Sequence, residues 1–186
     1  MTDRARRAER VFVLDEALTI LAGTPAAVDV LLRGLPSDWV RADEGEGTWS
    51  PISVVAHLIH ADRTNWLPRL ETILESGNTA PFPPFDRFAM IEAGRQRALA
   101  DLLDEFARVR EGSLRAVTRR RLSSTDLDRQ GRHPVFGVVT LRQLLATWVT
   151  HDFDHLMQIT RVLGRHYAVE VGPWRAYLRV VKDAPA

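Results

Sequence analysis

The chain has 186 residues, 45% of them hydrophobic and 26% charged, and its 25 basic and 24 acidic side chains leave a net charge of +1. That is the composition of one globular domain spanning 1–186, and charges this balanced argue against a generic nucleic-acid binder while leaving room for a local basic patch. No cysteine is present, which excludes disulfides, thiolate metal ligands and a cysteine nucleophile. Any bound metal therefore needs His, Asp, Glu or water. No apolar run approaches the ~18 residues that a membrane span requires, and no signal-peptide pattern follows the basic N-terminus. The default expectation is a cytoplasmic protein.

The apolar residues recur at helical spacing, and strand-like alternation is scarce. A short helix is predicted over about 12–22. A second opens at Thr24 as cap, with Pro25 in its first turn, and closes at Gly34 and Pro36. The stretch 45–48 is a loop. Ser50 and Pro51 repeat the start signal for a helix running to Gly77, with a kink at Pro68. The Pro-rich stretch 78–86 cannot be helix. Near 87–118, Leu99, Leu102, Leu103, Phe106 and Val109 form an amphipathic stripe. Residues 123–139 read as a loop with a short extended piece. Thr140 and Gln143 form a capping-box pattern that opens a helix reaching Leu163 and stopping at Gly164. A short helix follows Pro173. Four substantial helices joined by loops predict an all-α, antiparallel four-helix bundle with additional short helices, a fold that places its sites on facing helices.

The last long helix carries "THDFDHLMQ" at 150–158. On a helical wheel, Asp152 and His155 share the arc of Leu141, Leu145, Trp148 and Ile159. His151 lies at its edge, and Asp154 falls on the wet side. Polar groups facing a core are costly unless paired. His151 and His155 stand one turn apart, which lets two imidazoles converge on one ion. The competing reading is a pair of core-edge histidines hydrogen-bonded to neighbours. Asp152 is a candidate to orient a histidine, to pair with a buried Arg such as Arg63, or to accept a proton. Gln158 is a candidate to orient a water.

A metal site needs a third ligand. His57 and His60 stand on one predicted helix, ~140° and ~80° from its apolar centre, so amphipathicity alone leans toward His60. His133, on a loop, can approach a site, whereas His166 reads as a surface or capping residue. The tryptophans read as packing residues, with Trp49 and Trp66 candidates for a pocket wall.

Three segments carry a resemblance: "TPAAVDVLLRGLP", "WSPISVVAHL" with its histidine eight residues after the Trp, and "HPVFGVVTLRQLLATWVTHDFDHLMQITRVL". With "VGPWRAYLRV" near the end, the chain resembles the DinB-like superfamily of bacterial four-helix metalloproteins over most of 20–182. The resemblance implies a divalent-metal site made by His57, His151 and His155, with Zn or Ni the expected metal. His60, where family members often carry an acidic residue, is the reserve ligand. It further implies an enzyme that moves a low-molecular-weight thiol onto a small electrophilic substrate. A metal-dependent hydrolase of small amides or esters, and a non-enzymatic metal- or ligand-binding stress protein, are the alternatives. A homodimer is a further expectation for such a bundle.

Overall fold

The computed structural model describes residues 11–181. Four long helical segments form the bundle: α1 (Leu14–Leu32), α3 and α4 (Pro51–Ala61 and Leu67–Ser76, joined by a π turn at Asp62–Trp66), α6 (Leu99–Arg119) and α8 (Leu141–Arg165). Short helices α2 (Ser37–Arg41), α5 (Ile91–Arg95) and α7 (Ser124–Leu127) decorate it, and a 3₁₀ turn, Gly172–Tyr177, follows α8. Both α1 and α3 pack against α6 and α8. Among the described residues, no helix is long and apolar enough to cross a membrane.

Several local expectations need correction. The helices predicted over about 12–22 and from Thr24 are one element, with Pro25 inside α1. Thr24 is not a cap: its hydroxyl donates to the Ile20 carbonyl at 3.4 Å. The predicted segment 87–118 breaks into α5 and α6. The stretch 123–139 holds α7, closed by a Ser123–Asp126 capping box, and an antiparallel hairpin of β1 (Gln130–His133) and β2 (Gly137–Thr140). α8 runs through Gly164 to Arg165. The Thr140–Gln143 capping box at its start is formed as predicted: Thr140 N–H donates to Gln143 Oε1 at 2.8 Å, and Gln143 N–H to Thr140 Oγ1 at 3.2 Å.

Most of the core lies in two apolar clusters, with a small third at Ala168 and Val181. One gathers Leu21, Trp66, Leu70, Leu114, Leu145 and Trp148. The other gathers Val28, Ile52, Ile59, Leu103, Phe106 and Ile159. Each fully buried Leu or Ile stabilises the fold by roughly 1.5–3 kcal/mol. Along the sequence of α1, α6 and α8, a buried polar residue stands between the contributions to the two clusters, Thr24, Arg110 and Asp152 respectively, and Asp62 is buried at the start of the π turn. The bundle thus encloses a polar layer, and the histidines lie beside it.

Candidate metal centre

The polar layer is organised by Arg110, which is 1% exposed. Its Nε and Nη2 donate to the two oxygens of Asp62 at 2.7 and 3.1 Å. Its Nη1 and Nη2 donate to those of Asp152 at 2.5 and 3.1 Å. Nη1 also donates to the Leu21 carbonyl at 3.0 Å. All five guanidinium hydrogens therefore have acceptors, the condition under which a buried charge is tolerated. Burial alone would raise the Asp152 carboxyl, but hydrogen bonding and the charge of Arg110 hold it below the ordinary range. For Asp62, burial outweighs Arg110 and lifts the group to about 6. The arginine that pairs with Asp152 is Arg110, not the expected Arg63, which pairs with Glu105 at 2.6 Å.

Beside this layer, three imidazoles converge. His57 Nε2 lies 3.1 Å from His151 Nε2, which lies 3.1 Å from His155 Nε2. His57 Nδ1–H donates to the Arg87 carbonyl at 3.2 Å, and His155 Nδ1–H donates to Gln158 Oε1 at 2.9 Å. Those bonds fix the tautomers, so both Nε2 atoms turn bare lone pairs toward the group. Burial, reinforced by the neighbouring imidazoles, lowers His57 to about 3. Burial and His151 lower His155 to about 4. Both are neutral at physiological pH, as metal ligands must be.

The donor set fits a divalent cation. Lone pairs 3.1 Å apart repel unless a proton or cation lies between them. A proton on His151 Nε2 can serve only one neighbour. An ion at the ordinary Zn–N distance of ~2.0–2.1 Å from each nitrogen would hold tetrahedral ligands about 3.3 Å apart, close to the separations of His151 from its two neighbours. Among the described residues, these three form the only His, Asp or Glu group of this kind. Asp152 Oδ1 stands 3.8 Å from His151 Nδ1.

The second histidine of α3 has a different task. His60 Nε2–H donates to the Asp86 carbonyl at 3.0 Å, and its ring stacks on Phe85. His57 and His60 together thus fasten the Pro-rich segment through the carbonyls of Arg87 and Asp86. The wheel that favoured His60 fails because α3 is buried on nearly every face, and because the π turn breaks the phase between it and α4. His133 accepts from the Val135 and Phe136 N–H groups in the hairpin and lies outside the group. His166 stacks on Trp39. Asp154 is exposed, as its wheel position predicts.

A cavity of about 340 Å³ opens against this centre, lined by Trp49, Arg87, Phe88, His155, Gln158, Arg161 and Glu44 among others. Trp49 packs on His57 and His155, at centroid distances of 4.7 and 5.9 Å. Trp66 instead is core, stacked on Trp148 with its ring edge-on to His151. The sequence reading missed Asp62, Arg110, Arg87 and Arg161. For Arg110 a signal existed: it lies four residues after Phe106 and seven after Leu103, on the apolar stripe of α6.

Fold and site together define a helical-bundle protein with three imidazole nitrogens converging beside an open pocket. The chain belongs to the DinB superfamily, whose sequence profile matches residues 20–159. No curated protein sequence matches it. Among solved structures, it is similar to YfiT from Bacillus subtilis, described as a probable metal-dependent hydrolase with an unusual four-helix bundle topology. That likeness has a TM-score of 0.72 at 19% identity, over 85% of this chain and 91% of the other. It is also similar to the mycothiol-dependent maleylpyruvate isomerase, with a TM-score of 0.59 at 16% identity, over 86% and 70% of the two chains. At these identities the likeness establishes a common fold.

Proposed function

We propose that this protein is a divalent-metal-dependent enzyme that transfers a low-molecular-weight thiol onto a small electrophilic substrate. The observation that carries the reading is the convergence of His57, His151 and His155, two of them held neutral with Nε2 facing inward, with His155 itself lining a ligand-sized cavity. Zinc or nickel suits three imidazoles. Bound there, such an ion supplies Lewis acidity that favours the ionised form of a coordinated thiol or water.

The chain's own residues support thiol transfer over hydrolysis. Hydrolytic sites of the H-E-x-x-H type add a carboxylate that takes a proton from the attacking water. Here both oxygens of Asp152 are engaged by Arg110, and the residue is fully buried. Glu44 is bound by Arg161 and Arg165. Asp152 acts in this scheme as a positioning group beside His151, and Gln158 positions His155. A thiol needs no such base, because its proton leaves readily at neutral pH once the anion is stabilised. The likeness to a mycothiol-dependent enzyme supports the same choice, whereas the likeness to YfiT supports hydrolysis. Incubating zinc-loaded protein with a small thiol and a chromogenic electrophile tests the proposal. Acceleration that requires the thiol and disappears on chelation is the expected result. Ester or amide cleavage without thiol would establish the hydrolase instead.

A further inference from the structure

We propose that the pocket beside the histidines receives a ligand with a carboxylate on a flat unsaturated body, and that the Arg87 side chain anchors the charge. This deepens the functional reading above and rests on it only for where the ligand's reacting end lies.

The charges of the pocket are unequal. Glu44 is 5% exposed at its side chain and is gripped by two guanidinium groups, those of Arg161 and Arg165. Those three side chains carry one net positive charge between them, with exposed Asp154 also acting on Arg161. Arg87 adds another, and among the described residues its guanidinium pairs with no carboxylate. It lies over the Phe88 ring, with the guanidinium carbon 5.1 Å from the centroid. An arginine resting over an aromatic ring, with no carboxylate partner, has donors left for a planar anion, which a guanidinium can bind through two parallel hydrogen bonds.

The same residue is tied to the histidine centre by its main chain, since its carbonyl receives His57 Nδ1–H. Its position is therefore set by the site rather than by a free loop. The apolar walls suit a flat body. Trp49 and Phe88 meet edge to face at 5.9 Å, and Phe88 is 57% exposed at the cavity rim. A large aromatic left open beside an unpaired cation is a surface that a conjugated carboxylate would cover. A cavity of about 340 Å³ lies at the small end of ligand sites, which favours a small molecule.

The test uses benzoate and its uncharged analogue benzamide as probes, titrated calorimetrically into zinc-loaded and zinc-stripped protein. Arg87→Ala and Arg87→Lys are measured alongside, and the zinc content of every sample is determined. Arg87 is exposed and its backbone bond to His57 survives substitution, so the variants keep the fold. Benzoate is expected to bind the native protein about tenfold more tightly than benzamide, the ratio that a charge-assisted bidentate contact provides. Arg87→Ala should abolish the preference, Arg87→Lys should restore part of it, and benzamide binding should not change. Equal binding of the two probes overturns the proposal. So does benzoate binding that needs zinc and ignores Arg87→Ala, because the carboxylate is then a ligand of the ion. Protein that holds no zinc yet prefers benzoate through Arg87 sinks the metal reading and retains the carboxylate site.

Discussion

Arg110 on α6 donates a hydrogen bond to the carbonyl of Leu21 on α1, 3.0 Å away and 89 residues earlier in the chain. That carbonyl has no helical donor, because the residue four positions on is Pro25, which lacks an N–H. The proline inside α1 and the charge buried in α6 therefore complement one another. The same guanidinium binds Asp62 and Asp152, so one side chain links the α1, α3 and α8 sides of the bundle.

Removing that side chain should be severe. Arg110→Ala leaves two carboxylates buried and unpaired, and should cost about 3–5 kcal/mol. Arg110→Lys keeps a charge but cannot reach five acceptors with one ammonium, so it should fall between the two. Replacing Asp62, Arg110 and Asp152 together with apolar residues of similar volume should cost less than Arg110→Ala alone. Urea unfolding of metal-free protein measures all three. A triple variant less stable than the single one would contradict this account.

The histidine assignments make a separable prediction. His57→Ala, His151→Ala and His155→Ala should each purify nearly free of metal, because two nitrogens bind far more weakly than three. His60→Ala should keep its metal, since His60 Nε2–H is committed to the Asp86 carbonyl. It should instead loosen the segment 78–86, which limited proteolysis reports. Elemental analysis of the four variants at known protein concentration decides the matter. Metal retained by any of the first three, or lost from the fourth, would reassign the site.

Gln158 tests positioning apart from ligation. Its Oε1 accepts from His155 Nδ1 at 2.9 Å, which orients the ring and raises the basicity of Nε2. Gln158→Ala should weaken metal affinity by about 10–100-fold while the histidines remain in place. Gln158→Glu should tighten it, because a carboxylate is the stronger acceptor. Competition against a chelator of known affinity gives both values, and a Gln158→Ala protein with native affinity would remove the residue from the site.

What could be read from the sequence depended on whether the cause was local. The Thr140–Gln143 capping box involves residues three apart, and it forms as spelled. The inward turn of Asp152 and His155 follows from periodicity, because α8 has one wet face. His57 could not be found that way: α3 is buried almost all round, so an apolar moment carries little information, and the π turn at Asp62–Trp66 shifts the phase that Leu70 had helped to set. Resemblance, not periodicity, supplied His57. Pro25 misled for a related reason. A Thr-Pro pair looks the same at a helix start as inside a helix whose freed carbonyl has another donor, and that donor lies far along the chain. The partner of Asp152 was hidden by the same distance, although Arg110 sits on the apolar stripe of its own helix.

The depressed histidines should make the metal-free protein acid-sensitive. Burial and the neighbouring imidazoles bring His57 to about 3, and burial with His151 brings His155 to about 4, against an ordinary value of 6.5. In the unfolded chain both take up protons as pH falls through about 6.5, while in the fold they stay neutral until far lower. The unfolded state therefore binds more protons over that window, and stability falls as pH is lowered through it. Asp62 acts in the opposite sense. Burial, only partly offset by Arg110, raises it from 3.8 to about 6, so the fold takes up its proton first and gains stability as pH drops below 6. Two histidines shifted over a wider window outweigh one carboxyl, and the net change is a loss. Thermal melts of stripped protein from pH 8 to pH 5 should show a falling midpoint. The double variant His57→Gln, His155→Gln lacks the two groups that oppose Asp62, so its midpoint should stay level or rise over the same range. Parallel curves for the two proteins would mean that these imidazoles are not held neutral by the fold.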